Sequence, residues 1–440
     1  MTDIAGPGEL DVSTLIDEGK SNAFQIVALA AVALAFALEG LAAQAFGLAL
    51  PALSRAWRAP HAAFASVTAF GLVGFAIGAA VAGICGDRFG RRTALIASVG
   101  LFGAATLATA FAHDLGSLGW VRFATGLGLG GSIPVAAALI SELAPARWRS
   151  QAIALGFMFL PIGGFVSGLL ASRLLPTAGW PSLFIDCGSL ALVCDLVLLA
   201  VLPESPRFLA LKPARRPELL KLLARLGLEL PAGAVLANRE PARASWTELF
   251  SPEARRDTLG LQGASFFLLL GMYLVFSWGP SVLASQGFTL AQASEGLSAF
   301  ALGGVFAGPV SGWIIQRLRP RASILVLAFG AAVAAAYLAW TMTAPAPGFM
   351  AVAAGFFLLG HLVSGVQTAL YALAADVYPT AIRSSGVGAA VAAGRIGAVF
   401  SSYLGVLAIG LGGAPAFFGF VAAALALALL ASSSARARTA

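Results

Sequence analysis

Apolar residues run along this chain in windows long enough for a helix to cross a bilayer, and short polar segments separate the windows. Six windows precede one long polar stretch and six follow it. They cover residues 23–50, 62–84, 93–112, 117–141, 151–174 and 182–202, then 258–284, 290–315, 322–343, 348–375, 385–411 and 414–433. Only helices and closed barrels satisfy their backbone hydrogen bonds in lipid. The windows therefore predict an all-α membrane protein with twelve transmembrane helices.

The two sets of six windows share a motif at a constant spacing. E-x-x-P-x-x-x-R, from Glu142 to Arg149, recurs as D-x-x-P-x-x-x-R from Asp376 to Arg383, 234 residues later. Three glycine pairs keep the same offset: Gly126 with Gly360, Gly131 with Gly365, and Gly163 with Gly397. A repeat of half the chain predicts two pseudo-symmetric six-helix bundles, and in membrane proteins such halves usually hold a substrate between them. This pattern favours a solute carrier.

The same boundaries divide the chain into five parts. They are an N-terminal tail (1–22), a first bundle (23–202), a linker (203–256), a second bundle (257–433) and a C-terminal tail (434–440). Repeated prolines in the linker argue against a compact extra domain there. Between Glu218 and Leu226 the leucines favour one side of a helix, which predicts a short helix on the cytoplasmic surface.

Composition and charge support a membrane protein and predict its orientation. The chain is 59% hydrophobic and 11% charged with a mean hydropathy of +0.88, whereas soluble domains carry about 25% charged residues. With the N-terminus inside, almost all Lys and Arg fall on the cytoplasmic side. Arg55, Arg58 and Arg173 fall outside, and Arg122 and Arg395 fall within spans. This asymmetry predicts an inner-membrane protein with both termini cytoplasmic. The net charge of +7 is thereby explained without a nucleic acid.

Several other classes of chemistry lack support in the sequence. The first 22 residues have no basic start or cleavage site, so the first span is expected to remain. The three cysteines lie in or beside spans without metal-ligand spacing. A G-x-G-x-x-G pattern at Gly126–Gly131 lies inside an apolar helix and lacks the preceding strand of a nucleotide site, so it favours helix packing. We therefore expect no enzyme activity, cofactor or metal.

One loop carries a specific motif. The segment after the second span has glycine at 83, then Asp87-Arg88, then Gly90-Arg91-Arg92, and it resembles the signature of the major facilitator superfamily. The alternative is a basic cluster that only anchors the loop, which would explain the arginines but not the aspartate and glycines. In the second half the equivalent segment has Gln316 where an acid is expected.

The segment Pro203-Glu204-Ser205-Pro206-Arg207 resembles sugar porters and their organic-acid relatives. That resemblance implies a cytoplasmic gate of charge pairs that break when the halves rock. Its expected members are Asp87, Arg88, Arg92, Glu142, Arg149, Asp376 and Arg383, with Glu142 beside Arg149 and Asp376 beside Arg383. The alternative, which is compatible with a gate, is that these residues cap helices and set topology.

The first, tenth and eleventh spans resemble a narrower family. The segments are 38–53, beginning Leu38-Glu39-Gly40, and 365–397, which includes Gln367, Tyr371 and the Gly394-Arg395-Ile-Gly run. They look like the aromatic acid:proton symporters, and the Glu-Gly-Leu opening most resembles the 3-(3-hydroxyphenyl)propionate type. The resemblance implies import of a hydroxybenzoate or hydroxyphenylpropionate with a proton. The chain departs from the family pattern at Ala42, where a second acid is usual.

Charges inside spans are costly, by roughly 2.5–3.5 kcal/mol on insertion scales, so they pair or face a cavity. We expect Glu39 to approach Arg122 and to carry the coupled proton; the alternative is a static pair. A guanidinium matches a carboxylate, so Arg395 is the first choice for the substrate's anionic group. Its alternative is a structural pair with Asp376 or a backbone carbonyl.

Polar and aromatic side chains in other spans are candidates for contacting the ring and its hydroxyl. They are Gln44, Tyr273, Trp278, Gln367 and Tyr371. His361 is expected to make a polar contact rather than relay protons, and Asp195 is assigned no role.

Three alternatives stay open at this point. The carrier could transport sugars or non-aromatic acids such as quinate, it could export aromatic compounds, or it could be a sensor derived from a transporter. Nothing in the sequence requires an oligomer, so a monomer is expected.

Overall fold

The computed structural model describes residues 9–10, 12–19, 22–228, 235–236, 246–252, 254–378 and 383–434. Six long helices make up the first half and are numbered span 1 to span 6. Their bounds are Ala23–Trp57, Ala65–Phe89, Arg91–Thr109, Leu115–Leu143, Arg149–Thr177 and Trp180–Val201. The helices of the second half are Arg255–Ser285 (span 7), Leu290–Thr341, Phe349–Val377 (span 10) and Arg383–Ser434.

Two of these helices each contain two spans. Non-helical backbone interrupts Leu290–Thr341 at Arg319, directly before Pro320, which lacks the N–H that a continuous helix needs. It interrupts Arg383–Ser434 at Gly412 and Gly413, where Gly413 has a φ of 61°. The breaks separate span 8 (290–318) from span 9 (320–341), and span 11 (383–411) from span 12 (414–434). The described residues thus contain the twelve predicted spans, and this prediction is confirmed.

Small residues let the helices of each half approach closely. Span 4 packs against spans 2 and 3, and span 1 packs against spans 5 and 6. A Cβ atom on Gly126 or Gly130 of span 4 would overlap the backbone of Phe75 in span 2. In the second half, Gly360 of span 10 approaches the Phe300 carbonyl of span 8 in the same way. The repeated glycines are therefore packing positions, as expected.

The two halves meet along three helix pairs: spans 1 and 7, spans 2 and 11, and spans 5 and 8. We call the side with the linker the linker face and the opposite side the far face. Gly47 of span 1 lies against the Phe276 carbonyl of span 7 near the far face. Ser298 of span 8 donates a hydrogen bond of 3.3 Å to the Phe165 carbonyl of span 5 at a similar depth. These contacts close the far side of the molecule.

The same helices are apart on the linker side. Gly388 lies on the same side of span 11 as Arg395, two turns nearer the linker face, and a Cβ atom there would meet no atom within 4 Å. Gly308 of span 8, one turn beyond the inter-half contact at Gly304, is equally open. The described conformation therefore opens between its halves toward the linker face.

The short helix Arg216–Arg225 forms in the linker as predicted, but three of its four leucines face protein. They pack with the N-terminal helix Val12–Glu18 and the short helix Pro206–Ala210 in a separate apolar cluster. Leu219, Leu222 and Leu223 are all buried. Amphipathic periodicity could not distinguish this partner from a membrane surface. A two-residue parallel pairing of Glu9–Leu10 with Val235–Leu236 also joins the N-terminal segment to the linker.

Candidate functional site

Glu39 lies buried in the interior of the first half, with 2% of its surface exposed. The Ser132 hydroxyl on span 4 donates a hydrogen bond of 2.5 Å to one carboxylate oxygen of Glu39. Sequence reasoning missed Ser132, because a single hydroxyl in a glycine-rich span is a weak signal.

Arg122 does not form the predicted ion pair with Glu39. Its guanidinium carbon lies 4.8 Å from the centroid of the Phe46 ring, and its Nε and Nη1 atoms are buried without a hydrogen-bond partner among the described residues. The reason is depth in the membrane. Arg122 precedes Ser132, the partner of Glu39, by ten residues, which is roughly 15 Å along a helix. A cation–π contact takes the place of the carboxylate.

Arg395 lies where the two halves meet. Its guanidinium carbon is 3.9 Å from the centroid of the Phe75 ring on span 2, and Nη1 donates a hydrogen bond of 2.8 Å to the Tyr273 hydroxyl on span 7. Its Nε atom is buried and has no hydrogen-bond partner in the described part of the chain. No described carboxylate lies within ion-pair distance of Arg395, and the side chain of Asp376 lies outside the described residues. The guanidinium thus retains one N–H, at the boundary between the halves, that is unused among the described residues.

Aromatic and polar candidates lie at different places around this region. Tyr273 packs edge-on to Phe276, with ring centroids 5.8 Å apart. On span 10, Gln367 donates a hydrogen bond of 3.2 Å to Tyr371; Gln367 is half-buried and Tyr371 is exposed. Gln367 lies one turn beyond Ser364, which contacts Gly304 at the junction of spans 5, 8 and 10. These two residues remain candidates for a substrate contact.

Trp278 and Gln44 are enclosed more tightly than predicted. Trp278 is 0% exposed, and its indole lies against Gly405 of span 11, within the second half. This position favours packing, and its Nε1 atom is buried without a partner among the described residues, so the predicted contact with substrate stays a prediction. Gln44 lies against Gly164 of span 5, and its Oε1 atom is buried without a partner among the described residues. It remains a candidate because an unsatisfied amide oxygen can accept a hydrogen bond.

Two other intramembrane polar residues have structural surroundings. The Nδ1 atom of His361 is 3.2 Å from the Gly303 carbonyl, and its ring stacks on Phe357, as expected for a satisfied polar contact. Asp195 of span 6 lies against Gly100 of span 3, and its Oδ1 atom has no partner in the described structure. We have no physical account of Asp195.

The charged motif residues of the first half bind one another on the linker face. Arg91 forms an ion pair with Glu142, and Asp87 accepts a hydrogen bond of 3.2 Å from Arg91. Glu142 also accepts a hydrogen bond from the Ser205 hydroxyl. The predicted pairing of Glu142 with Arg149 is therefore wrong. Arg91, one turn after Asp87, reaches Glu142 because spans 3 and 4 are packed together.

Arg149 instead forms an ion pair with Asp17 of the N-terminal helix and donates to the Ala144 carbonyl. The sequence carried no signal for the partnership with Asp17, because 132 residues separate the two positions. Arg88 lies over the ring of its neighbour Phe89, at 5.3 Å from the centroid, and takes no part in an ion pair that the structure describes.

Glu204 caps span 3. One of its carboxylate oxygens accepts hydrogen bonds of 2.9 Å from the backbone N–H groups of Arg92 and Ser205. The guanidinium of Arg92 donates hydrogen bonds of 2.7 Å to the Leu199 and Leu202 carbonyls at the end of span 6. Gly90 has a φ of 104° and lies so close to Glu204 that a Cβ atom would overlap the carboxylate. This part of the motif holds spans 3 and 6 together.

All of these bonds lie within the first half or join it to the N-terminal helix and linker. The second copy of the motif cannot be compared, because the side chains of Asp376 and Arg383 lie outside the described residues. A gate between the halves therefore stays a prediction. Among the described residues, no three His, Cys, Asp or Glu side chains are grouped so that they could hold a metal ion.

Comparison with known proteins agrees with this architecture. The family model described as Major Facilitator Superfamily matches residues 32–360 and 297–438. The chain is 36% identical over 438 residues to the gallate transporter of Pseudomonas putida, which covers 98% of this chain and 96% of that protein. It is 33% identical over 411 residues to the 4-hydroxybenzoate transporter of Pseudomonas aeruginosa, covering 92% and 90% of the two chains.

A solved structure with the same fold is the partially occluded inward-open conformation of a xylose transporter from E. coli. The TM-score is 0.75 at 18% sequence identity, and the match covers 93% of this chain and 97% of the other. At this identity the similarity concerns the fold alone.

Proposed function

Because this chain belongs to the major facilitator superfamily, we propose that it imports an aromatic carboxylic acid of the hydroxybenzoate or hydroxyphenylpropionate type together with a proton. Its family makes it a multi-pass membrane transporter and not an enzyme. A gallate transporter and a 4-hydroxybenzoate transporter both match nearly the whole chain, and this supports an aromatic acid as the substrate. Both are hydroxylated benzoates, so a carboxylate and a phenol must be recognised together.

The guanidinium of Arg395 is the main support for an anionic substrate. It lies between the halves, and its buried Nε–H, next to the Nη groups, has no partner in the part of the chain that the structure describes. A carboxylate can accept two parallel hydrogen bonds from such an edge. The Tyr273 hydroxyl beside it and the Gln367–Tyr371 pair on span 10 are suitable partners for the phenol of the substrate. A neutral sugar would leave this cation without a counter-charge.

Glu39 supports coupling to a proton. It and a substrate carboxylate would both interact with the positive charge of Arg395, one from span 1 and the other from the opening between the halves. Protonation of Glu39 removes its negative charge and leaves Arg395 available for the substrate anion. Proton and substrate would then load together. The Ser132 hydroxyl can serve either form of Glu39, because a hydroxyl both donates and accepts hydrogen bonds.

Alternating access would proceed by rocking of the halves about this central site. The described conformation, closed on the far side and open at the linker face, corresponds to one end of that cycle. The excess of Lys and Arg on the linker face supports a cytoplasmic location of that face and of both termini. The described state is then the inward-open one.

Replacing Gly47 with Trp should hold the carrier open toward the far face. A side chain at this position overlaps the Phe276 carbonyl, so spans 1 and 7 cannot close. We expect transport to fall to background. Access is measured with Gly388→Cys in a chain from which the three native cysteines have been removed. In the Gly47 variant this cysteine should become protected from a polar maleimide added at the linker face. Gly419→Trp is the matched control, because a Cβ atom added at that glycine would meet no atom within 4 Å. Undiminished labelling at position 388 in the Gly47 variant would contradict the rocking mechanism.

The function itself is tested by uptake into vesicles. Purified protein in liposomes, with an alkaline interior, should accumulate labelled 4-hydroxybenzoate, and a protonophore should abolish the accumulation. Protein-free liposomes must be subtracted, because neutral aromatic acids cross lipid slowly by themselves. Gallate and 3-hydroxyphenylpropionate should compete for uptake, whereas xylose and quinate should not.

Each alternative predicts a different result in the same assay. Competition by xylose or quinate, but not by aromatic acids, would replace the proposed substrate. Binding of aromatic acids without any accumulation would favour a sensor. Loss of pre-loaded substrate driven by an inwardly directed proton gradient would favour export.

A further inference from the structure

We propose that Phe75 is a positioning residue for substrate binding. The ring of Phe75 holds Arg395 in place by a cation–π contact across the boundary between the two halves. This inference rests on the proposed function, and it concerns a side chain that contributes no hydrogen bond. The guanidinium carbon of Arg395 lies 3.9 Å from the ring centroid, well within the roughly 6 Å over which such contacts are effective. Phe75 is 6% exposed, so water does not screen the contact on the ring side.

The first half holds Phe75 rigidly. Its backbone nitrogen is close to Gly126 and its carbonyl is close to Gly130, both on span 4, so that neither glycine has room for a side chain. Span 4 is therefore packed directly on the backbone of span 2 at this residue. A phenyl ring on such a backbone has few alternative positions, and it can act as a fixed surface for the guanidinium.

The described contacts of Arg395 use one face and one N–H of its planar guanidinium group. Phe75 covers one face, and Tyr273 receives one N–H from Nη1. The edge that contains Nε has no partner among the described residues. Stacking on a ring leaves the in-plane N–H groups of an arginine available, and these are the groups that bind a carboxylate. Phe75 therefore orients the guanidinium without using the in-plane N–H groups that a carboxylate would bind.

The contact also depends on conformation, because Phe75 belongs to the first half and Arg395 to the second. It exists while spans 2 and 11 are packed, as they are in the state that is closed at the far face. When these spans separate, Arg395 loses the ring and keeps only its contacts within the second half. The affinity of the carrier for the carboxylate should then differ between its two faces, with Phe75 as one cause.

Graded weakening of the ring quadrupole tests the inference. Phenylalanines with one, two and three ring fluorines, incorporated at position 75, keep the shape of the ring while withdrawing electron density from its face. We expect the KM for 4-hydroxybenzoate uptake to rise with each fluorine, and to rise about tenfold for Phe75→Leu, which removes the ring. The maximal rate should change much less than KM, and Phe75→Trp should restore a low KM.

Two controls separate positioning from general stability. Phe102→Leu removes a fully buried ring from the same half that has no contact with Arg395, and it should lower thermal stability without raising KM. Binding of the neutral amide 4-hydroxybenzamide, followed by thermal shift, should be insensitive to the fluorine series, because an amide does not need the charge of Arg395.

The possible outcomes are distinct. A KM that stays constant along the fluorine series, in a carrier that still transports 4-hydroxybenzoate, overturns the role of Phe75 and leaves the proposed function intact. If the unmodified protein neither transports nor binds any aromatic carboxylate, the proposed function fails and this inference fails with it. A graded rise in KM with a nearly constant maximal rate supports the inference.

Discussion

Glu39→Gln should abolish proton-driven accumulation of substrate while preserving exchange of substrate across the membrane. Exchange needs binding and rocking of the halves, whereas accumulation needs a group that takes up and releases a proton in each cycle. Glu39 is a buried carboxyl on span 1 that accepts a hydrogen bond from the Ser132 hydroxyl. Glutamine keeps the size of the side chain and an oxygen for the Ser132 hydroxyl, but it cannot ionise.

The measurement compares two assays on the same vesicles. Uphill uptake of labelled 4-hydroxybenzoate under an imposed pH gradient should fall to the level of protein-free vesicles. Counterflow into vesicles pre-loaded with unlabelled substrate should stay within about twofold of the unmodified protein, since the variant removes no charge that binds the substrate anion. Glu218→Gln, at an exposed acid on the linker helix, is the matched control and should leave both assays unchanged.

Uphill uptake that survives in Glu39→Gln would show that the proton is carried elsewhere. The family resemblance makes this test informative, because Ala42 stands where a second acid is usual. Ala42 is fully buried, and an alanine side chain cannot take up a proton.

Arg395→Gln should weaken binding of the aromatic carboxylate by roughly 2–5 kcal/mol, which is a factor of about thirty or more. The guanidinium is the one cation among the described residues that lies between the halves with an unpaired donor edge. Its removal leaves a desolvated carboxylate without a counter-charge. Arg395→Lys keeps the charge but loses the planar fork, so its affinity should lie between those of the Gln variant and the unmodified protein.

Affinity can be measured by thermal shift on purified protein, with 4-hydroxybenzoate and its neutral amide as paired ligands. The carboxylate should lose most of its stabilising effect in Arg395→Gln, and the amide should not. Arg173→Gln, an exposed arginine near the far end of span 5, controls for the change in net charge. Equal affinity of the Gln variant and the unmodified protein for the carboxylate would refute the proposed binding role of Arg395.

Much of the architecture could be predicted because it depends on local composition. The windows of apolar residues identified all twelve spans, including the two pairs that run on almost without a loop at Arg319 and at Gly412–Gly413. The motif that contains Asp87 and Arg91 correctly indicated the superfamily.

The candidate site could be predicted only in part. Intramembrane charge is rare and costly, so Glu39, Arg122 and Arg395 stood out in the sequence. Their partners could not be inferred. Glu39 was expected to meet Arg122, but its hydrogen bond comes from Ser132, and Arg122 lies over the ring of Phe46. Trp278 was an equally reasonable aromatic candidate, yet it is enclosed within the second half.

The sequence by itself therefore determined the number of spans, the two-fold repeat and the presence of buried charge. Each span satisfies its own backbone hydrogen bonds and is selected for lipid by its own residues, so these features need no knowledge of neighbouring helices. Only the tertiary structure decided which charges meet. The partner of a side chain depends on the depth and rotation at which two helices pack, and close contacts such as those of Gly126 and Gly130 with Phe75 set both.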